Sequence, residues 1–120
     1  MNNFTKYCVK ETGREELHDN LKLTGAEISI NTLPAGGCVP FVHSHKQNEE
    51  IYIVLQGSGK AVIDGETVPL KENDCLRIST NGKRQFFASD KEDIKYICIQ
   101  VKEGSLERFT GADAIVGTNE

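Results

Sequence analysis

Several absences narrow what this 120-residue chain can be. Nothing in it approaches the ~18 consecutive apolar residues of a membrane span; the longest aliphatic-aromatic run is Ile51 to Leu55. There is no basic excess. Fourteen Lys and Arg stand against eighteen Asp and Glu, a net charge of −4 and a pI near 5.4. Nucleic acids and anionic membranes both call for a basic face, so neither is an expected partner. Met1 to Lys6 lacks the apolar h-region of a secretory signal, which points to the cytoplasm. No internal repeat, low-complexity tract or Pro/Ser linker divides the chain. Close cysteine pairs are missing too: Cys8, Cys38, Cys75 and Cys98 lie 30, 37 and 23 positions apart. Without a CxxC they read as reduced, mostly buried small apolar residues, with a reactive or ligating role kept only for Cys38 and Cys98. Histidine is scarce, three in all, and His43 and His45 are one residue apart.

What is present suits one domain spanning residues 1–120. A chain of this size can bury roughly two-thirds of its unfolded surface. From Gly25 to about Lys102 it reads as short strands separated by turn signals. Glu27 to Asn31 alternates polar and apolar, and Pro34 to Gly37 breaks it. Glu50 to Leu55 is β-branched and aromatic, Gln56 to Gly59 interrupts, and Lys60 to Ile63 follows. Asp64-Gly65 is a type I′ hairpin signal, because both residues tolerate positive φ, and Glu66 to Leu70 returns from it. Leu76 to Ile78, Gln85 to Phe87 and Ile94 to Val101 complete an all-β, antiparallel set. Thr12 to Leu17 and Ser105 to Phe109 are each expected to form a turn or two of helix. Phe4 to Val9 is a candidate edge strand, and the tail from Thr110 has few anchors.

Chemistry concentrates between Gly37 and Glu50. On a strand, alternate side chains share a face, so His43 and His45 point the same way. Glu50, opening the next strand, can bring a carboxylate to the same point. Two imidazoles and one carboxylate with open positions left suit Fe(II) and its first-row neighbours, and zinc equally.

At these residues the chain resembles the cupin superfamily. Its first motif, G-x5-HxH-x3,4-E-x6-G, is met by Gly37, His43, His45, Glu50 and Gly57. The resemblance runs from about residue 26 to residue 102. It implies an antiparallel jelly-roll β-barrel with short N- and C-terminal extensions. It also implies one divalent metal ion (Zn, Fe, Mn or Ni) held by His43, His45 and Glu50. Cupins usually supply a fourth ligand, a histidine in a second motif, and no third histidine stands near that place here. Anchoring the second motif on Gly82 puts Gln85 in the slot; anchoring it on Asn73 puts Arg84 there. Gln85 is the favoured choice, as a weak ligand or the holder of a water. Arginine cannot ligate but can clamp a carboxylate or phosphate.

Strand parity then places Tyr52, Val54 and Phe87 inside with Glu50 and Gln85. Tyr96, Cys98 and Gln100 are expected inside on the last strand, with Ile97, Ile99 and Val101 outside. The resemblance implies a metal-dependent isomerase, lyase or dioxygenase acting on a small sugar, keto-acid or other carboxylate. Tyr52 and Gln85 are the candidate proton donor or orienting groups. The alternatives are a non-catalytic small-ligand-binding module and a barrel that no longer holds metal. A homodimer is expected, by resemblance and because Phe4 to Val9 leaves a sheet edge to cover.

Overall fold

The computed structural model describes residues 3–117. Its strands are β1 (Arg14–Glu16), β2 (Glu27–Leu33), β3 (Asn48–Ile63), β4 (Glu66–Lys71), β5 (Cys75–Ile78), β6 (Arg84–Ala88) and β7 (Ile94–Lys102). All pairings are antiparallel, and together they form a jelly-roll barrel. One sheet runs β1-β2-β7-β3-β5, the other β4-β3-β6, and β3 belongs to both. Among the described residues no helix is long and apolar enough to cross a membrane.

The two sheets join within β3. Glu50 to Leu55 and Lys60 to Ile63, expected as separate strands, are one 16-residue strand. The Gln56-Gly57 signal marks a corner, not an end: the register against β7 shifts between Val54 and Gln56, and Gly57 has φ 78°. A bulge with a glycine bends a strand and passes it to the second sheet without breaking the ladder. The Asp64-Gly65 turn is as expected, with φ 50° and 83° and Ile63 paired to Glu66.

Three local expectations are corrected. Thr12 to Leu17 is not helical. Arg14 to Glu16 pairs with Ser29 to Asn31 as β1, and among the described residues the one α-helical turn, α1, follows at His18–Leu21. Ladder bonds to an existing strand outweigh weak local helix preference. Phe4 to Val9 forms no strand; the Tyr7 hydroxyl donates to Glu15 and the Lys10 N–H reaches the same carboxylate, so this segment is held by side chains. Ser105 to Phe109 is not helical either, and a single 3-10 turn stands just beyond it at Thr110–Ala112.

Alternation sorts each strand into two faces. Tyr52, Val54, Ala61, Leu70, Ile78, Phe86, Ala88, Ile94, Tyr96 and Cys98 form the interior core. Tyr52 stacks on Phe86 with ring centroids 4.2 Å apart, and Phe86 on Tyr96 at 5.4 Å. β2 is inverted relative to ordinary amphipathic patterning. Its polar Ser29 and Asn31 are buried inside, at 2% and 4% exposure, while Ile28 and Ile30 face outward and stay partly exposed.

Candidate metal centre

His43 and His45 lie not on a regular strand but on an extended loop stitched to β6 and its approach. His43 exchanges backbone hydrogen bonds with Arg84 (3.0 and 2.9 Å), and the His45 N–H donates to the Thr80 carbonyl (3.1 Å). These bonds aim both imidazoles at Glu50, a buried inward-facing residue near the start of β3. His45 Nε2 is 2.9 Å from Glu50 Oε2, and His43 Nε2 is 3.9 Å from Oε1. One ligand atom from each of the three residues lies within 4.8 Å of the others.

Glu50 is 2% exposed and surrounded by donors. The Tyr52 hydroxyl and Arg84 Nη1 (2.8 Å) donate to Oε1; Cys98 Sγ lies 3.4 Å from Oε2. Burial alone would raise this carboxyl's pKa. The Tyr52 hydrogen bond and the charges of His45 and Arg84 outweigh it and hold it below the usual carboxylate value. For His43, burial dominates and lowers the pKa, favouring the neutral imidazole that ligates metal. Its Nδ1 is buried with no hydrogen-bond partner among the described residues. A neutral imidazole, a second imidazole and an ionised carboxylate converging on one point are a donor set that fits a divalent cation.

Gln85 is not part of this cluster, and the fourth-position expectation is corrected. Its Nε2 donates to the Val39 carbonyl (2.8 Å), on the side of β6 away from Glu50. Arg84, the alternative, faces in and is fully buried. The reason is register. Arg84 pairs with both Ile63 and His43, so β6 begins one residue earlier than the turn at Gly82 suggests. Arg84, Phe86 and Ala88 thereby become the interior set. Phe87 moves outward with Gln85, under the Lys60 ammonium at 5.2 Å. Arg84 cannot ligate; its Nη2 is spent on the Ser79 carbonyl (2.7 Å) and its Nη1 on Glu50. A fixed cation therefore stands beside the triad.

The triad sits in a cavity of about 460 Å³. Tyr52, Tyr96, Cys98 and Gln100 line it, as parity on β3 and β7 predicts. Burial keeps Tyr52 protonated far above neutrality and pushes the Cys98 thiol up to about 12. Cys98 is thus a buried neutral thiol, whereas Cys38, also on the cavity wall, is exposed. All four cysteines are free, but only Cys98 is buried, against the expectation for the others. Reading the sequence missed Arg14, Asn31 and Leu33 in the lining; nothing local marks them, because β1 and β2 reach the cavity only through pairing with β7. A larger groove of about 650 Å³ lies outside the barrel along residues 9–13, away from the triad.

Residues 29–100 match the Cupin domain family. The chain is a cupin. A crystal structure of a cupin protein from Bacteroides fragilis is 56% identical to it, covering 98% of this chain and 100% of that one, with a TM-score of 0.95. An uncharacterized protein of Methanocaldococcus jannaschii is 26% identical over 71% of this chain and 68% of its own length. The structure of a predicted oxalate decarboxylase from Thermotoga maritima shares the fold at a TM-score of 0.59, with 24% identity over 62% of this chain and 64% of that one. The cupin motif residues Gly37, His43, His45, Glu50 and Gly57 thus fall in a chain with the cupin fold, and three of them make the cluster described above.

Proposed function

We propose that this cupin is a metal-dependent enzyme acting on a small polar metabolite, a keto-acid, other carboxylate or sugar, with one divalent ion held by His43, His45 and Glu50. The observation that carries this reading is the convergence of their ligand atoms within 4.8 Å at the wall of a cavity. A divalent ion bound there supplies Lewis-acid polarisation of a carbonyl or activation of water or dioxygen, the chemistry of isomerases, lyases and dioxygenases. Three protein ligands leave positions open, as catalytic sites require.

The chain's own residues have separable tasks. Tyr52 keeps its proton and, by donating to Oε1, orients Glu50 so that Oε2 faces His45. Arg84 holds the same oxygen from the β6 side and keeps Glu50 ionised. Phe86 and Tyr96 exclude water around the reacting end of a ligand. Tyr52 is also the candidate orienting group for a substrate oxygen.

Elemental analysis of protein purified without a histidine tag tests the metal assignment. Near-stoichiometric divalent metal is expected in the wild type and a loss of most of it in a His43→Ala/His45→Ala variant. Unchanged metal in that variant would rule out the ligand set. Turnover is then screened on keto-acids and sugars after reconstitution with Fe, Mn, Ni or Zn in turn. Thermal stabilisation by these compounds with no turnover under any metal would make the protein a binding module instead.

A further inference from the structure

The buried polar pair on β2 has no part in the metal centre, yet it is built into the same cavity. Asn31 Nδ2 donates to Ser29 Oγ (2.9 Å), and Asn31 Oδ1 accepts from Arg14 Nη1 (2.7 Å). Burying an amide and a hydroxyl where aliphatic residues would pack costs free energy unless hydrogen bonds satisfy them. Here they fix the guanidinium of β1 at the cavity mouth.

The register shows where that mouth is. Across the concave sheet, Glu50 stands opposite Gln100; two positions along, Tyr52 aligns with Cys98, Ser29 and Glu16; two further, Val54 aligns with Tyr96, Asn31 and Arg14. Arg14 and Glu50 are therefore at opposite corners of the concave sheet that lines the cavity. Between them the walls are largely apolar: Leu33, Val39, Pro40, Phe86 and Tyr96. Gln100 is engaged by Asn48 (3.3 Å), and Asn31 is committed as above. The cavity thus offers two polar poles with an apolar span. A sugar, which needs hydrogen-bond partners along its whole ring, finds few.

We propose that Arg14 is the anchor for the carboxylate of a small oxo acid, whose carbonyl lies at the His43, His45 and Glu50 pole and whose carbon chain spans the apolar walls. This rests on reading that cavity as the substrate site. A guanidinium carries five N–H donors. Among the described residues, hydrogen bonding takes up only Nη1, on Asn31, while the Glu16 carboxylate stands 3.7 Å from Nε. Donors remain for an incoming carboxylate, which a planar fork meets in two bonds. The charge of Arg14 is felt inside: it opposes the upward shifts of the buried Tyr96 and Cys98 and adds to the lowering of His43. Arg14 selects the acid, and Glu16 is its internal competitor.

The test is an NMR titration of the protein, zinc-free and zinc-loaded, with 6-oxoheptanoate, its methyl ester and glucose. The acid is expected to bind about tenfold more tightly than the ester, and glucose not measurably. Arg14→Ala should erase that preference, Arg14→Lys should keep part of it, and Glu16→Gln should strengthen acid binding severalfold. Equal affinity for acid and ester, or a preference that survives Arg14→Ala, overturns the assignment; so does tight binding of glucose alone. The two readings separate cleanly. An Arg14-dependent acid preference without zinc uptake removes the metal and leaves the anchor, whereas zinc uptake without the preference removes the anchor and leaves the metal.

Discussion

Arg84 Nη1 donates to Glu50 Oε1 at 2.8 Å, between side chains that are 0% and 3% exposed. A buried pair of this kind is seldom a net source of stability, but removing one partner leaves the other charged and desolvated. Arg84→Met should therefore destabilise the protein by roughly 3–5 kcal/mol in urea unfolding, towards the lower end because Tyr52 and His45 still contact Glu50. Arg84→His tests its second effect. It exchanges an opposing charge for a potential ligand, so Zn²⁺ and Mn²⁺ should bind about tenfold more tightly or better. Chelator competition reads this directly; affinity no higher than wild type would show that Arg84 does not occupy the fourth position.

Gly57 and Gly65 both have positive φ, 78° and 83°, but their surroundings differ. A Cβ on Gly57 would lie 1.8 Å from the Asp93 carbonyl oxygen, whereas one on Gly65 meets nothing within 4 Å. Gly65→Ala should cost only the left-handed strain, about 1 kcal/mol. Gly57→Ala adds a backbone clash at the corner where β3 changes sheets, and about 3 kcal/mol or more is expected. Denaturation midpoints of the two variants compare them; equal losses would mean that the corner carries no special constraint.

That corner also shows which parts of the molecule the sequence makes legible. His43, His45 and Glu50 fall within eight consecutive residues, so their convergence needs only one loop and one strand, and spacing suffices to see it. Gly57 is equally visible, but whether a glycine ends a strand or bends it depends on the partner across the ladder. The assignment of Gln85 over Arg84 fails for a related reason. One residue of register reverses every side chain of β6, and that register is set by His43, some forty positions away. β1 is the extreme case: three residues with no strand pattern of their own, extended only because β2 is there to pair with. Its Arg14 reaches the cavity through two successive strand pairings, beyond the range of any local signal.

Cys98 is the one buried cysteine, and its thiol pKa is pushed from an ordinary 9.0 to about 12, by burial first and by the Glu50 charge second. At pH 8 a thiol reagent should modify Cys8, Cys38 and Cys75 in the native protein and Cys98 only after unfolding. The same shift affects stability. Below pH 9 the thiol is protonated in both states, and its contribution is fully present. Between pH 9 and about 12 the unfolded chain gives up a proton that the folded one keeps, so stability falls as pH rises. Tyr96, raised from 10.0 to about 12, adds to the decline from pH 10 upward. Cys98→Ala should flatten the pH 9–10 part of the profile measured by urea unfolding. Rapid modification of Cys98 in the native state would contradict the burial argument.

Ile97 lies at the middle of an apolar patch on the outside of the larger sheet, paired with Ile30 on one side and Ile53 on the other. The adjacent row is Ile28, Ile99 and Ile51, and all six isoleucines remain partly exposed. Glu15 and Arg77, opposite Ile30 and Ile51, rim the patch with charge. An apolar centre with a charged rim is the composition of a protein interface. Two copies related by a two-fold axis would cover each other's isoleucines without any further partner. We therefore expect a homodimer through this face at micromolar concentrations. Ile97→Glu places a carboxylate at the centre of the face from both copies at once, so it should shift the protein to monomer with its circular dichroism unchanged. Sedimentation velocity decides: a monomeric wild type, or a dimer indifferent to Ile97→Glu, would assign these isoleucines to some other use.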